Sequence, residues 1–202
     1  MSRLKILLAI PSARTVETEC FESIFNLKKH GKVDLFVPHS YSIDASRNMV
    51  AEYALNHKYD YILWIDSDTI VPKNTLTRLL EADKDIVSGV YAYKILSGKN
   101  VVAKRYNDKE EDTYDDLTIK EVAELSKTKE RVLVDAIGFG CVLTKTTIFS
   151  RVDKPWFVYS QYMGEDIFFC RKAQEQDYEI WLDTAVLCGH VGTVNYNIAR
   201  GK

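Results

Sequence analysis

The chain has 202 residues, 46% of them hydrophobic and 28% charged, with a formal net charge of -2. That composition supplies a buried core for one domain over residues 1–202 and excludes a disordered chain, a collagen-like repeat and a disulfide scaffold. With 27 basic against 29 acidic residues, no global positive field exists to gather nucleic acid or anionic lipid, so any binding surface must be local.

Residues 4–10 form a continuous apolar run closed by Pro11 and Ser12, as expected of a central strand covered on both faces. The run is too short for a signal segment, and nothing later reaches transmembrane length; a cytoplasmic protein with no integral membrane segment is expected. A helix follows, with Cys20, Ile24 and Leu27 on one stripe, Phe21 and Phe25 beside it, and His30-Gly31 as a stop. Residues 33–37 read as a second strand, 45–58 as a helix with Met49, Val50, Tyr53, Ala54 and His57 near one face, and 59–65 as a third strand.

Three strand-helix alternations with short connections predict a parallel sheet with right-handed crossovers, a Rossmann-like half. Ligands of such sheets lie beyond the carboxyl ends of the strands, where Pro11-Ser12 and Asp66-Ser67-Asp68 both fall. A short helix at 76–81 and a strand at 86–91 come next. The charge-dense stretch 104–130 reads as a solvated excursion ending in a helix over 117–126, with a mobile acceptor loop as the alternative. Strands are expected at 131–138, 141–145 and 178–183, helices near Thr147 and Ile167, and a further short strand at 186–188. Cys20, Cys141, Cys170 and Cys188 show no C-x-x-C spacing and read as reduced, mostly buried thiols.

Asp66 and Asp68 stand directly after an apolar strand, where two carboxylates invite a hard cation such as magnesium or manganese whose open positions phosphate oxygens fill. The plainer alternative is that they end the strand and cap the next helix. Glu165 and Asp166 open the helix near Ile167; a carboxylate there is favoured by the helix dipole, which keeps it ionised and limits its basicity, and it can also take the proton of an attacking hydroxyl. His190, between Gly189 and Gly192, is either a ligand or a structural residue. The glycines of 137–141 would let backbone approach a sugar closely. The aromatics of 156–162 would stack on sugar faces, with packing the plainer role of Trp156 and Trp64.

Taken in order, a strand, Ala45-Ser46-Arg47-Asn48 on a helix, I-D-S-D, G-E-D before a helix and G-H-V-G resemble the GT-A glycosyltransferases from Ile6 to Gly192. The resemblance implies an α/β GT-A fold with a mixed, mostly parallel central sheet flanked by helices, residues 1–88 binding the nucleotide sugar and 89–202 the acceptor. It implies a metal-dependent transfer of sugar from a nucleoside-diphosphate donor, such as a UDP sugar, to a glycan or other hydroxyl acceptor. By the same resemblance Asp68 and His190 hold Mn2+ or Mg2+, with Asp66 on the metal through water or on the ribose; Pro11, Ser12 and Arg14 grip the nucleoside; Arg47 and Asn48 approach base and diphosphate; Ser67 backs the ribose. Asp166 is then the base of an inverting enzyme and Glu165 a partner of the acceptor hydroxyl. The tail at 193–202 would order over bound donor or fray.

Asp66-Ser67-Asp68-Thr69-Ile70 also approximates the D-x-D-x-[T/V] of haloacid-dehalogenase-type phosphatases, but it follows a third strand and ends in Ile70. A sugar-phosphate nucleotidyltransferase would carry a glycine-rich loop where Ile10-Pro11-Ser12-Ala13-Arg14 has none. A glycan- or nucleotide-binding module without turnover is the non-enzymatic alternative.

Overall fold

The computed structural model describes residues 4–39, 41–94, 99–108, 113–128 and 130–192. The opening apolar run is strand β1 (Lys5–Ala9), followed by helix α1 (Thr18–Phe25), strand β2 (Lys32–Phe36), helix α2 (Ile43–Asn56) and strand β3 (Tyr61–Ile65). β1 lies between β2 and β3, parallel to both, as the alternation predicts. Neighbouring residues of these strands enter different cores: Leu7, Ala9, Ile62 and Trp64 on one face, Ile6, Leu8, Leu63 and Ile65 on the other. A sheet buried on both faces needs apolar residues at every position, hence the unbroken runs. Trp64 is fully buried, and its indole N–H donates to Thr144 Oγ1 at 3.0 Å, so its polar atom is satisfied inside the core.

Next come β4 (Thr69–Ile70), α3 (Thr75–Glu81), β5 (Ile86–Val90), β6 (Asn100–Asp108), β7 (Thr113–Thr118) and α4 (Ile119–Leu125). The chain continues through β8 (Arg131–Val134), β9 (Ala136–Ile137), β10 (Cys141–Lys145), a 3-10 turn (Thr146–Ser150) where a helix near Thr147 is expected, α5 (Glu165–Gln174), β11 (Ile180–Leu187) and β12 (Gly189–His190). The main sheet has seven strands in the order β2-β1-β3-β10-β5-β11-β8. β10 runs antiparallel to both β3 and β5, β8 runs antiparallel to β11, and the remaining pairs are parallel. This is the mixed, mostly parallel α/β sheet expected. The inserted β10 sets Gly140 against the end of β3, where the Asp66 N–H donates to the Gly140 carbonyl at 3.1 Å.

The charged stretch differs from its reading as a solvated excursion. β6 pairs antiparallel with β7 and with β9 in a separate three-stranded sheet, burying Val101, Ala103 and Leu117. The register sets Lys104 opposite Asp116, with which it forms an ion pair, and Arg105 opposite Asp115, both of which stay exposed. α4 opens on a capping box between Thr118 and Glu121, a T-x-x-E signal legible in the sequence.

Residues 131–138, read as one strand, split at Asp135 between the two sheets, and Asp135 Oδ2 accepts the Tyr106 N–H at 2.9 Å. β11 runs through the expected gap after Asp183. That aspartate is fully buried, its carboxylate held by Arg78 and Arg131, each at 3.2 Å. On α2 the buried residues are Ser46, Arg47, Val50, Ala51 and Ala54, while His57 is exposed instead of facing the core. An arginine on the core side of a helix needs partners there, and they form the site. All four cysteines are free and buried.

Candidate functional site

β3 delivers Asp66, Ser67 and Asp68 to the carboxyl edge of the sheet. The turn is fixed by backbone bonds: the Thr69 N–H donates to the Asp66 carbonyl at 3.0 Å, and the Glu17 N–H to the Ser67 carbonyl at 2.8 Å. β4 then pairs antiparallel with β12, with His190 opposite Thr69, and the Val191 N–H donates to the Asp68 carbonyl at 2.8 Å. A histidine far along the chain is thereby set beside Asp68, Nε2 to Oδ1 at 3.4 Å.

His190 Nδ1 lies 2.9 Å from the Ala92 carbonyl oxygen. A carbonyl only accepts, so Nδ1 carries a proton, and Nε2 is the nitrogen turned to Asp68. The other carboxylate oxygen of Asp68 accepts from Lys94. Burial pushes the Asp68 carboxyl up, but the hydrogen bonds from His190 and Lys94 more than offset it and hold it at about 2.

Alongside lies a second cluster built on Arg47, which is 2% exposed. Its Nη1 donates to Glu165 Oε1 at 2.6 Å and its Nη2 to Asp66 Oδ1 at 3.0 Å, and the Asp166 charge acts on it as well. The guanidinium lies 5.1 Å above the Phe139 ring, and its Nε has no partner among the described residues. Glu165 and Asp166 form the first turn of α5, after the extended N-cap Gly164. The helix dipole favours ionised carboxylates there, while burial pushes the Asp166 carboxyl up, opposed by Arg47, and Glu165 moves the same way for the same reason.

Gly138 and Gly140 serve Tyr91. A Cβ at Gly138 would stand 2.1 Å from the Tyr91 hydroxyl oxygen, and one at Gly140 would stand 2.7 Å from its Cζ. The Gly140 N–H donates to that hydroxyl at 3.0 Å. The close approach expected for a sugar is therefore made by this side chain. Burial and the charges of Asp66 and Asp166 push the Tyr91 phenol well up, so it stays protonated. Trp156 is packed as expected, its indole N–H on the Val152 carbonyl at 2.8 Å, while Tyr159 and Tyr162 stay exposed on the loop leading to Gly164.

Ala13, Arg14, Thr15, Glu17, Tyr41, Ser67 and Asp68 line an open crevice of about 590 Å³ at the ends of β1 and β3. Arg14, Ser67 and Asp68 of the sequence-derived set meet here. Pro11 and Ser12 are buried; the Ser12 hydroxyl donates to the Thr15 carbonyl at 2.7 Å and its N–H to the Pro38 carbonyl at 3.0 Å, so they shape the crevice wall. Sequence reasoning missed Tyr41, which is 54% exposed, and Lys94, since neither stands in a recognisable motif.

Two assignments need correction. Asn48 has no free amide to offer a donor: its Nδ2 donates to the Phe157 carbonyl at 2.7 Å and the Asp44 carbonyl at 2.9 Å, and its Oδ1 accepts the Trp156 and Phe157 N–H groups at 3.1 and 3.2 Å. It ties α2 to the 156–157 segment, and Asn48→Ala is expected to cost about 1–3 kcal/mol, since it strands buried backbone groups. Chemical denaturation checks this; an unchanged midpoint would refute it. Arg47, expected to approach base and diphosphate, is likewise held in the core by Glu165 and Asp66. Asp68 and His190 remain as a pair of donors. The tail at 193–202 lies outside the described residues.

No protein-family model matches the sequence, and no curated protein matches it. Solved structures do match. A197 from STIV aligns with a TM-score of 0.66 at 15% identity, over 94% of this chain and 86% of that one. GalNAc-T7, solved with UDP, GalNAc and Mn2+, aligns with a TM-score of 0.64 at 13% identity, over 94% of this chain. The chain has a GT-A-type fold. It spans 44% of the length of the GalNAc-T7 chain, and at such identities the GT-A likeness is one of architecture. No helix among the described residues is long and apolar enough to cross a membrane.

Proposed function

We propose that this GT-A chain is a metal-dependent glycosyltransferase that moves a sugar, with inversion, from a nucleoside-diphosphate sugar to a glycan or other hydroxyl acceptor. The observation that carries the reading is the Asp68–His190 pair, 3.4 Å apart across β4 and β12, on a fold shared with a glycosyltransferase that binds UDP and Mn2+.

The residues present fit a divalent ion. One hard carboxylate and one imidazole suit Mn2+ or Mg2+ with positions left for phosphate oxygens, and the Nδ1 anchor on Ala92 is the kind of outer contact that aims a metal-binding histidine. Charge agrees: the carboxylates of Asp66, Asp68, Glu165 and Asp166 face the cations of Arg47 and Lys94, an excess of negative charge. When bound, the ion supplies Lewis-acid neutralisation of the departing diphosphate.

In this reading the nucleoside takes the crevice lined by Arg14, Tyr41, Ser67 and Asp68. Residues 1–88 form the donor half; residues 89–202 supply His190, Asp166 and the exposed Tyr159 and Tyr162 on the acceptor side. Asp166 takes the proton of the acceptor hydroxyl as its oxygen bonds to the anomeric carbon, and the bond to the diphosphate oxygen breaks. Glu165 is buried against Arg47 and holds that guanidinium in place, which leaves Asp166 as the base. The phosphatase alternative requires a free nucleophile at Asp66, whose carboxylate is ion-paired to Arg47.

Asp68→Ala is expected to abolish the Mn2+-dependent rise in melting temperature produced by UDP and UDP sugars, a rise worth about 2.7 kcal/mol for the wild type at a hundred times Kd. Equal shifts in wild type and variant would remove the metal site from the reading.

A further inference from the structure

We propose that Lys94 neutralises Asp68 until metal and donor arrive and then becomes a ligand of the donor diphosphate; this rests on the glycosyltransferase reading above. The two carboxylate oxygens of Asp68 are divided between His190 Nε2, 3.4 Å from Oδ1, and the Lys94 ammonium on Oδ2. A cation held by Asp68 and His190 would meet that ammonium at the same carboxylate.

Lys94 belongs to this cluster by chain as well as by contact. It stands two residues after Ala92, whose carbonyl holds the His190 ring. Between them Tyr93 is anchored separately, its hydroxyl on Asp116 Oδ1 at 3.1 Å. The Lys94 side chain is partly exposed, and its four-carbon stem lets the ammonium change partners while the backbone stays in place.

A divalent ion arriving while the ammonium stays would set two positive groups on one carboxylate, which Coulomb repulsion opposes. The ammonium is therefore a competitor of the metal alone. A diphosphate reverses the balance, because its oxygens take the open positions of the ion and give the displaced ammonium an anionic partner, lysine being a ready point charge for phosphate. Arg47 cannot fill this role, since Asp66 and Glu165 hold it in the core. The expected signature is an opposition of sign: loss of the Lys94 charge helps the metal and harms the diphosphate.

The test uses the full chain with Mn2+ alone, followed by electron paramagnetic resonance of the free ion, and then pyrophosphate titrated into Mn2+-saturated protein by calorimetry. Lys94→Met is expected to tighten Mn2+ about fivefold or more and to weaken pyrophosphate by a similar factor, while Lys94→Arg keeps both near wild type. Wild-type Mn2+ or pyrophosphate affinity in Lys94→Met, with Mn2+ binding lost in Asp68→Asn, would overturn the role of Lys94 and leave the metal site standing. Wild-type Mn2+ affinity in Asp68→Asn would overturn both.

Discussion

Replacing Asp166 by Asn is expected to lower the sugar-transfer rate about 10²- to 10⁴-fold, the range of a positioned general base, while nucleotide-sugar binding is retained. Asn keeps the shape of the side chain and the contact of Oδ1 with the Ile167 N–H, 2.8 Å in the wild type, but it cannot take a proton. Since burial raises the carboxyl pKa, the wild-type rate should climb as pH rises through that raised pKa, and this limb should vanish in the variant.

The same shift has a consequence for stability. Because folding raises the Asp166 pKa, its favourable contribution is fully present below the unfolded pKa and is lost as pH rises through the folded one. At neutral pH the ionised group is therefore a burden, and Asp166→Asn should melt at or above the wild-type temperature, an advantage that disappears in acid. Steady-state rates, donor titrations and melting curves on one preparation separate these effects. Near-wild-type transfer by the variant would show that the base is elsewhere.

Arg47→Met is expected to destabilise the fold by about 3–5 kcal/mol, because it strips the cation from buried carboxylates while filling a similar volume. Glu165 and Asp66 lose their direct partner and Asp166 its nearest favourable charge. The Glu165 and Asp166 pKa values, which Arg47 holds down, should then rise further in the folded state, so the variant keeps stability in acid and loses it as pH rises through those values. Urea denaturation from mildly acid to neutral pH should show the gap from wild type widening with pH. Adding Glu165→Gln should restore part of the loss, since the two substitutions share one interaction. A variant as stable as wild type at neutral pH would mean that the cluster is not held by this guanidinium.

How these clusters arise divides what is legible in the chain from what is not. The order of strands and helices over the first 65 residues follows from local signals: apolar runs without polar alternation, a helical stripe on α1, and Gly31 as a stop, with φ of 74° in the structure. Asp66, Ser67, Asp68, Glu165 and Asp166 were legible for the same reason, since a strand end and a helix start each announce themselves within a few residues.

The charged hairpin β6-β7 was not legible, because strand pairing and register are properties of two segments rather than one. Lys94 and Tyr91 carried no signal of their own; their roles come from segments brought beside them by β10 and β12. By its place in the sequence Arg47 is expected to reach toward the donor, but the fold buries it between Asp66 after β3 and Glu165 on α5. Sequence alone determined the strand-helix alternation of the first 65 residues and which carboxylates stand after β3 and at the start of α5, because those depend on neighbours in the chain. Tertiary structure alone decided that Arg47 pairs with Asp66 and Glu165 and that Lys94 meets Asp68, because the pairing of charges depends on distances that only the packed sheet sets.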